Sequence, residues 1–198
     1  MLVKRLFDAL ISLLGLIILA PLLIIIAFLV KTGSRGPVLF RQKRVGQFGV
    51  CFQVLKFRTM VVGAEKLGPK ISAVKDKRIT RIGSILRQLK LDELPQLVNV
   101  LVGQMSLVGP TPEVSKYVVL FRKGYKEILK IEPGIREFAS LEYRNEGDLL
   151  ELSDDTNHTY ISEILPVRIM WYKRYVRKQG LVVDIKLIVA TIWFALFR

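Results

Sequence analysis

Two adjacent carboxylates, Asp92 and Glu93, stand in LKLDELPQL at residues 89–97. Lys75, Lys77, Arg78, Arg81, Arg87 and Lys90 crowd the run that leads to them. The simple reading of such a pair is a helix cap, because acidic side chains favour the positive end of the helix dipole and Pro95 suits a first turn. The chemical reading is a dyad that works on a phosphate. A carboxylate nucleophile must stay ionised, and neighbouring cations favour that form. A second carboxylate suits Mg²⁺, which takes oxygen ligands together with substrate phosphates. Basic side chains and free N–H groups at a helix start would hold the phosphate itself. Lys56 and Arg58 of LKFRTM, with Arg78, Arg81 and Arg87, supply cations for that task. In one strand Lys56 and Arg58 would share a face, as they would on a solvated basic edge.

Other chemistries have little to build on. Cys51 is the single cysteine, so no internal disulfide forms. His158 is the single histidine, which leaves no Cys/His zinc set and one base for any Ser-His-Asp scheme. Asp154 and Asp155 read as a solvated acidic loop. The net charge of +14 calls for an anionic partner. Nucleic acid, acidic lipid headgroups and a nucleotide-linked substrate all answer to that. No zinc-finger, RRM or KH pattern supports the first. A membrane-tethered nucleic-acid binder or a non-catalytic scaffold is the alternative to an enzyme.

The elements that must position the dyad begin with an apolar run, Leu6–Val30, interrupted by Asp8 alone among charged residues. It is long enough to cross a bilayer and too long for a signal peptide. Lys4 and Arg5 precede it; Lys31, Arg35, Arg41, Lys43 and Arg44 follow. Both flanks therefore ask for the cytoplasmic side. Pro21 bends the run, as a kinked span or as a re-entrant hairpin. Asp8 should pair with Lys4 or Arg5.

With 198 residues, the chain holds one domain with or without an appendage. Residues 38–60 read as a β-hairpin turning at Gly46 and Gly49. Helices are expected over 78–91, 95–105 and 114–131, the second ended by Gly103, the third by EPGI. Residues 106–113 read as a Pro/Gly loop, and 135–147 as a short strand or loop. Helix returns over 148–155 and 159–176, interrupted by Pro166. The stretch 181–198 carries Asp184 and Lys186, and reads as an interfacial helix with Trp193 at headgroup depth or as a terminal helix docked on the core.

Taken in order, KRLFD, the proline-broken apolar helix, GPVLFRQKRVG, KFRTM, RITRIGSILR, LDELPQLVNVLVGQMSLVGP and EPGI resemble the bacterial sugar transferases. The likeness is to the small monotopic polyprenyl-phosphate phosphoglycosyl transferases, and it covers nearly the whole chain. It implies a mostly helical α+β fold: a re-entrant helix-break-helix over residues 1–33 with its break at Ala20 and Pro21, then a catalytic domain over 34–198 on the cytoplasmic face of the bacterial inner membrane, with a small hairpin sheet and interfacial helices, the last near 181–198. It implies transfer of a phospho-sugar from a UDP-sugar to polyprenyl phosphate, usually undecaprenyl phosphate, with release of UMP, as a membrane step of glycoconjugate assembly. Asp92 would be the nucleophile that forms a covalent phospho-sugar intermediate, and Glu93 would support Mg²⁺. Lys56 and Arg87 would hold phosphate or orient the dyad; membrane lipids are partners, nucleic acid is not, and a homodimer stays open. Two departures stand out. Ala20 replaces the usual serine before the helix-breaking proline, and Thr111 replaces the arginine of the usual Pro-Arg-Pro, so Arg136 or Arg144 should supply the missing charge. Sugar choice is expected from residues 135–147.

Overall fold

The apolar run breaks at Leu19. In the computed structural model, which describes residues 2–64, 76–137, 153 and 155–196, helix α1 (Leu2–Ile18) meets α2 (Ala20–Gly33) at a bend of 64°. Ala20 opens α2 and Pro21 lies in its first turn, where the ring's missing N–H is tolerated. Neither helix alone is long and apolar enough to cross a membrane; the bent pair passes by length and composition. Each packs one side and exposes the other. The outer sides carry Leu6, Leu10, Ile17, Ile24 and Phe28, with Ile17 and Ile24 62% and 68% exposed.

Polar contacts fasten both ends of this pair to the same body. Arg5 donates to the carbonyls of Val100 and Leu101 at 2.6 and 2.7 Å, satisfying acceptors that a helix end leaves open. Asp8 lies inside, accepting from Ser106 Oγ at 2.7 Å and facing Lys4 at 3.6 Å. The expected Asp8–Lys4 pair thus forms, but against protein. At the other end, Arg58 is buried under α2. It donates to Ser34 Oγ at 2.8 Å and to the carbonyls of Pro37 and Ser34 at 2.6 and 2.9 Å.

The hairpin forms as expected. Strands β1 (Leu39–Val45) and β2 (Cys51–Phe57) pair antiparallel, with Arg41 opposite Leu55. A tight turn at Gln47–Gly49 joins them, and Gly49 takes φ +79°. Phe52 and Val54 face inward; Val50, just ahead of the strand, stays exposed.

Helix α3 is shorter than its periodicity, Arg81–Gln88 instead of 78–91. Thr80 caps it by accepting from Gly83 N at 2.9 Å. At the other end Lys90 adopts the left-handed region, φ 56°, and turns the chain into a short 3-10 turn, Leu91–Glu93. Helix α4 (Gln96–Leu101) follows, and Gly103 at φ +85° ends it.

The loop expected over 106–113 starts as a strand instead. β3 (Ser106–Val108) is buried and pairs in parallel with β4 (Gly134–Arg136), which sets Val108 opposite Arg136. Their backbones run close: a Cβ on Gly134 would lie 2.0 Å from Gly109 N. Glycine is required there by contact, which proline-rich flanks conceal. The intervening helix divides at Phe121 into α5 (Ser115–Leu120) and α6 (Arg122–Ile128).

Helix α7 (Thr156–Thr159) runs through a π-helical turn at Tyr160–Ile164 into α8 (Leu165–Lys178). Pro166 therefore does not interrupt a helix; it starts α8, and the wide turn before it absorbs the mismatch. Helix α9 (Leu181–Leu196) seats its first half on the core. Asp184, whose charge made the segment look interfacial, is buried: it takes Lys4 as ion partner and accepts from Tyr175 OH at 2.6 Å. Leu187 joins a core with Phe52, Val100, Met105 and Val108. A second core gathers Tyr117, Tyr125, Tyr160 and Tyr172; a third binds Ile26 and Val30 of α2 to Phe57 and Leu86.

Candidate active site

Asp92 and Glu93 occupy the 3-10 turn between α3 and α4, on the N-terminal side of α4. They are not its cap. Pro95 holds that position, with no side-chain cap bond. The pair is thus free for other work, and three elements converge on it.

The first is β2. Lys56 Nζ donates to Glu93 Oε1 at 2.8 Å. Asn99 fixes this register from α4. Its amide accepts from Leu55 N at 3.0 Å and donates to Gln53 O at 2.8 Å, as a neighbouring strand would. The second is β4: Arg136 Nη1 stands 4.0 Å from Glu93 Oε2. The third is α3. Arg87 Nε donates to Thr59 Oγ1 at 2.9 Å, and the guanidinium is close enough to Asp92 for its charge to favour the carboxylate. α3 presses on this strand end so tightly that a Cβ at Gly83 would lie 2.1 Å from Thr59 O.

The two carboxyls respond oppositely. Burial pushes Asp92 above the usual aspartate range, and Glu93 beside it pushes the same way, against Lys56, Arg87 and Lys90. Burial also opposes the charge of Glu93, but the charge and hydrogen bond of Lys56, with Arg136, outweigh it and hold Glu93 below its usual range. A pair split in this manner has divided labour. Glu93 is a fixed anion. Asp92 is the more basic carboxylate, and among the described residues none donates it a hydrogen bond. Its lone pairs remain available to an electrophile.

The remaining candidates are placed differently. Arg58 does not join Lys56 at the dyad: β2 ends at Phe57, so the shared face is lost and the guanidinium turns to α2. Arg78 is held by Asp76, Nε to Oδ1 at 2.9 Å, and donates to Ala64 O at 2.9 Å. Thr111 lines a small cleft with Val45, Gly46, Tyr125 and Leu129, and no hydrogen bond ties it to the dyad. Arg144, Asp154, most of 135–147 and most of the helix expected over 148–155 lie outside the described residues. Thr59, Lys90 and Asn99 were missed in the sequence. Asn99 left one signal, an amide on the apolar face of PQLVNVLV.

Over residues 1–198 the chain matches the family described as bacterial sugar transferase, and it belongs to that family. A UDP-glucose:undecaprenyl-phosphate glucose-1-phosphate transferase of Klebsiella pneumoniae is 40% identical across 98% of this chain and 40% of its own length. An undecaprenyl-phosphate glucose phosphotransferase of Komagataeibacter xylinus is 39% identical across 97% of this chain and 35% of its own. The exopolysaccharide production protein ExoY of Sinorhizobium fredii is 35% identical across 72% and 70%. The chain thus spans about two fifths of the first relative and most of ExoY.

Proposed function

We propose that this chain is a phosphoglycosyl transferase that moves a phospho-sugar from a UDP-sugar to a polyprenyl phosphate such as undecaprenyl phosphate and releases UMP. The observation that carries the reading is Asp92, buried, raised in basicity and, among the described residues, without a hydrogen-bond donor, beside a glutamate held by Lys56 with Arg136 4.0 Å away. The names of the relatives supply the substrate class.

In the first half-reaction an Asp92 oxygen attacks the β-phosphorus of the UDP-sugar. The bond from that phosphorus to the bridging oxygen breaks, UMP departs, and the phospho-sugar rests on Asp92 as an acyl phosphate. In the second, an oxygen of polyprenyl phosphate attacks the same phosphorus and returns Asp92 as carboxylate. Two displacements in sequence give ping-pong kinetics. Arg136 and Lys56 are the cations positioned to meet the diphosphate, with Arg87 steadying Asp92.

A divalent cation fits this donor set. Mg²⁺ takes one or two carboxylates and completes its shell with phosphate oxygens and water. Among the described residues no group of three acidic, histidine or cysteine side chains forms a closed cage, so a site shared with the substrate is the fitting kind. Glu93 would hold it, and it would supply charge neutralisation at the leaving phosphate.

The anchor is read as re-entrant, entering from the cytoplasmic face of the bacterial inner membrane. In support, Arg5 and Lys4 at one end and the α2 terminus under Arg58 at the other dock on one body. A straight span would part them. The deciding assay offers the chain a panel of UDP-sugars with undecaprenyl phosphate and Mg²⁺ and scores UMP. Multiple turnovers should depend on all three, whereas UDP-sugar with Mg²⁺ and no acceptor should release at most one UMP per chain and leave a phospho-sugar adduct on Asp92 by mass spectrometry. Full turnover by Asp92→Asn would sink the proposal.

A further inference from the structure

Helix α8 carries a basic outer face, and none of its residues is among the dyad's described partners. It contains no acidic residue. Ile169, Tyr172 and Tyr175 bury its inner side. On the outer side Lys173, Arg174, Arg177 and Lys178 line an open surface with Met170, which is 57% exposed. Among the described residues none of these cations enters an ion pair. Arg174 lies over the Trp171 ring, 5.0 Å from its centre.

The location of this face gives it meaning. Tyr175 OH donates to Asp184 at 2.6 Å and lies 3.1 Å from Val108 O, and Asp184 pairs with Lys4. The last turn of α8 is thereby joined to the first turn of α1, whose outer side exposes Leu2, Val3 and Leu6. Unpaired cations thus stand beside the point where the apolar surface begins, with an indole and a methionine among them. That is the pattern of an element seated at an anionic lipid surface: cations at headgroup level, an aromatic ring at the boundary, apolar side chains deeper. A nucleic acid would use the charge but not Met170 or the adjoining apolar helix.

We infer that the outer face of α8 docks on anionic phospholipid headgroups of the leaflet that holds the anchor. The inference rests on the membrane reading of α1 and α2. It gives the catalytic body a second contact with the bilayer and fixes its tilt over the acceptor lipid.

The test floats the full chain with vesicles of phosphatidylcholine, or of phosphatidylcholine mixed with phosphatidylglycerol, at low and high salt. At low salt phosphatidylglycerol should raise partition on the order of tenfold or more, and high salt should erase the gain. A variant with Lys173→Gln, Arg174→Gln, Arg177→Gln and Lys178→Gln should keep its circular dichroism and its partition to phosphatidylcholine while losing the gain. In a Trp193→Phe background, brominated phosphatidylglycerol should quench Trp171. Equal wild-type partition to both vesicles, or a gain that survives in the variant, overturns the inference. So does loss of single-stranded RNA binding in the variant with the lipid gain intact. A wild-type chain that ignores both vesicles overturns the anchor reading and this one with it.

Discussion

Lys56 Nζ lies 2.8 Å from Glu93 Oε1, so the strand lysine grips the glutamate of the dyad and reaches the aspartate through its field alone. Removing Lys56 takes away one of the charges that keep Asp92 ionised. Lys56→Met should therefore move the acidic limb of the kcat/KM profile to higher pH, and Glu93→Gln, which removes the anion that raises Asp92, should move any residual limb lower. A pH series on UMP release checks both. An unmoved limb in Lys56→Met would mean that another group controls it.

A nucleophile held in this way costs stability. The folded-state pKa of Asp92 is raised above its unfolded value, so its contribution is fully present below the unfolded value and is lost as pH rises through the folded one. Asp92→Asn escapes that loss. At neutral pH the inactive variant should melt above wild type, and the gap should shrink as pH falls toward the ordinary aspartate range. Thermal unfolding across pH reads the difference; a variant that melts lower at neutral pH would refute it.

Arg136 stands 4.0 Å from Glu93, too far for a tight ion pair and near enough to serve a shared ligand. Arg136→Ala should weaken UDP-sugar binding by about 10- to 100-fold, as expected for a hydrogen bond to a charged group of ~1.5–3 kcal/mol. Arg136→Lys should restore part of it. Binding measured in an Asp92→Asn background separates this from chemistry, and unchanged affinity would remove Arg136 from the site.

Gly83 is fixed by contact. Its φ is ordinary, but the Thr59 carbonyl occupies the place of a Cβ. Gly83→Ala should cost about 3 kcal/mol, because backbone cannot yield as a flexible side chain does. It should also loosen Arg87 from Thr59 and depress kcat. A denaturation midpoint equal to wild type would show that α3 shifts freely.

The elements that read well in the sequence are those whose cause is local. Alternation at Phe52 and Val54 and glycines in the turn made the hairpin legible. Gly103 announced the end of α4. Pro21 announced a bend in the apolar run before its angle was known. What stayed hidden depends on neighbours distant in the chain. β3 was concealed because its partner strand lies beyond α6, and three residues of pairing leave little periodicity. Arg58 looked like a twin of Lys56 until the strand stopped between them. Asp184 made its helix look interfacial because its partner, Lys4, lies far away in the sequence. Within the site, the dyad and Lys56 were read from residue types, whereas Thr59 acts by accepting from Arg87, Lys90 by its left-handed turn and its charge, and Asn99 by bonding the backbone of β2.

The Lys4–Asp184 contact joins residues 180 positions apart. Synthesis makes the bent anchor well before the helix that bears its counter-charge. Until then Lys4 lacks Asp184, although Ser106 is already there to meet Asp8. The anchor's seat is thus a late event in biogenesis, closed after the dyad's turn has left the ribosome. A chain halted before Asp184 would carry every catalytic residue discussed above, yet would hold its membrane helix by a joint still missing its final charge.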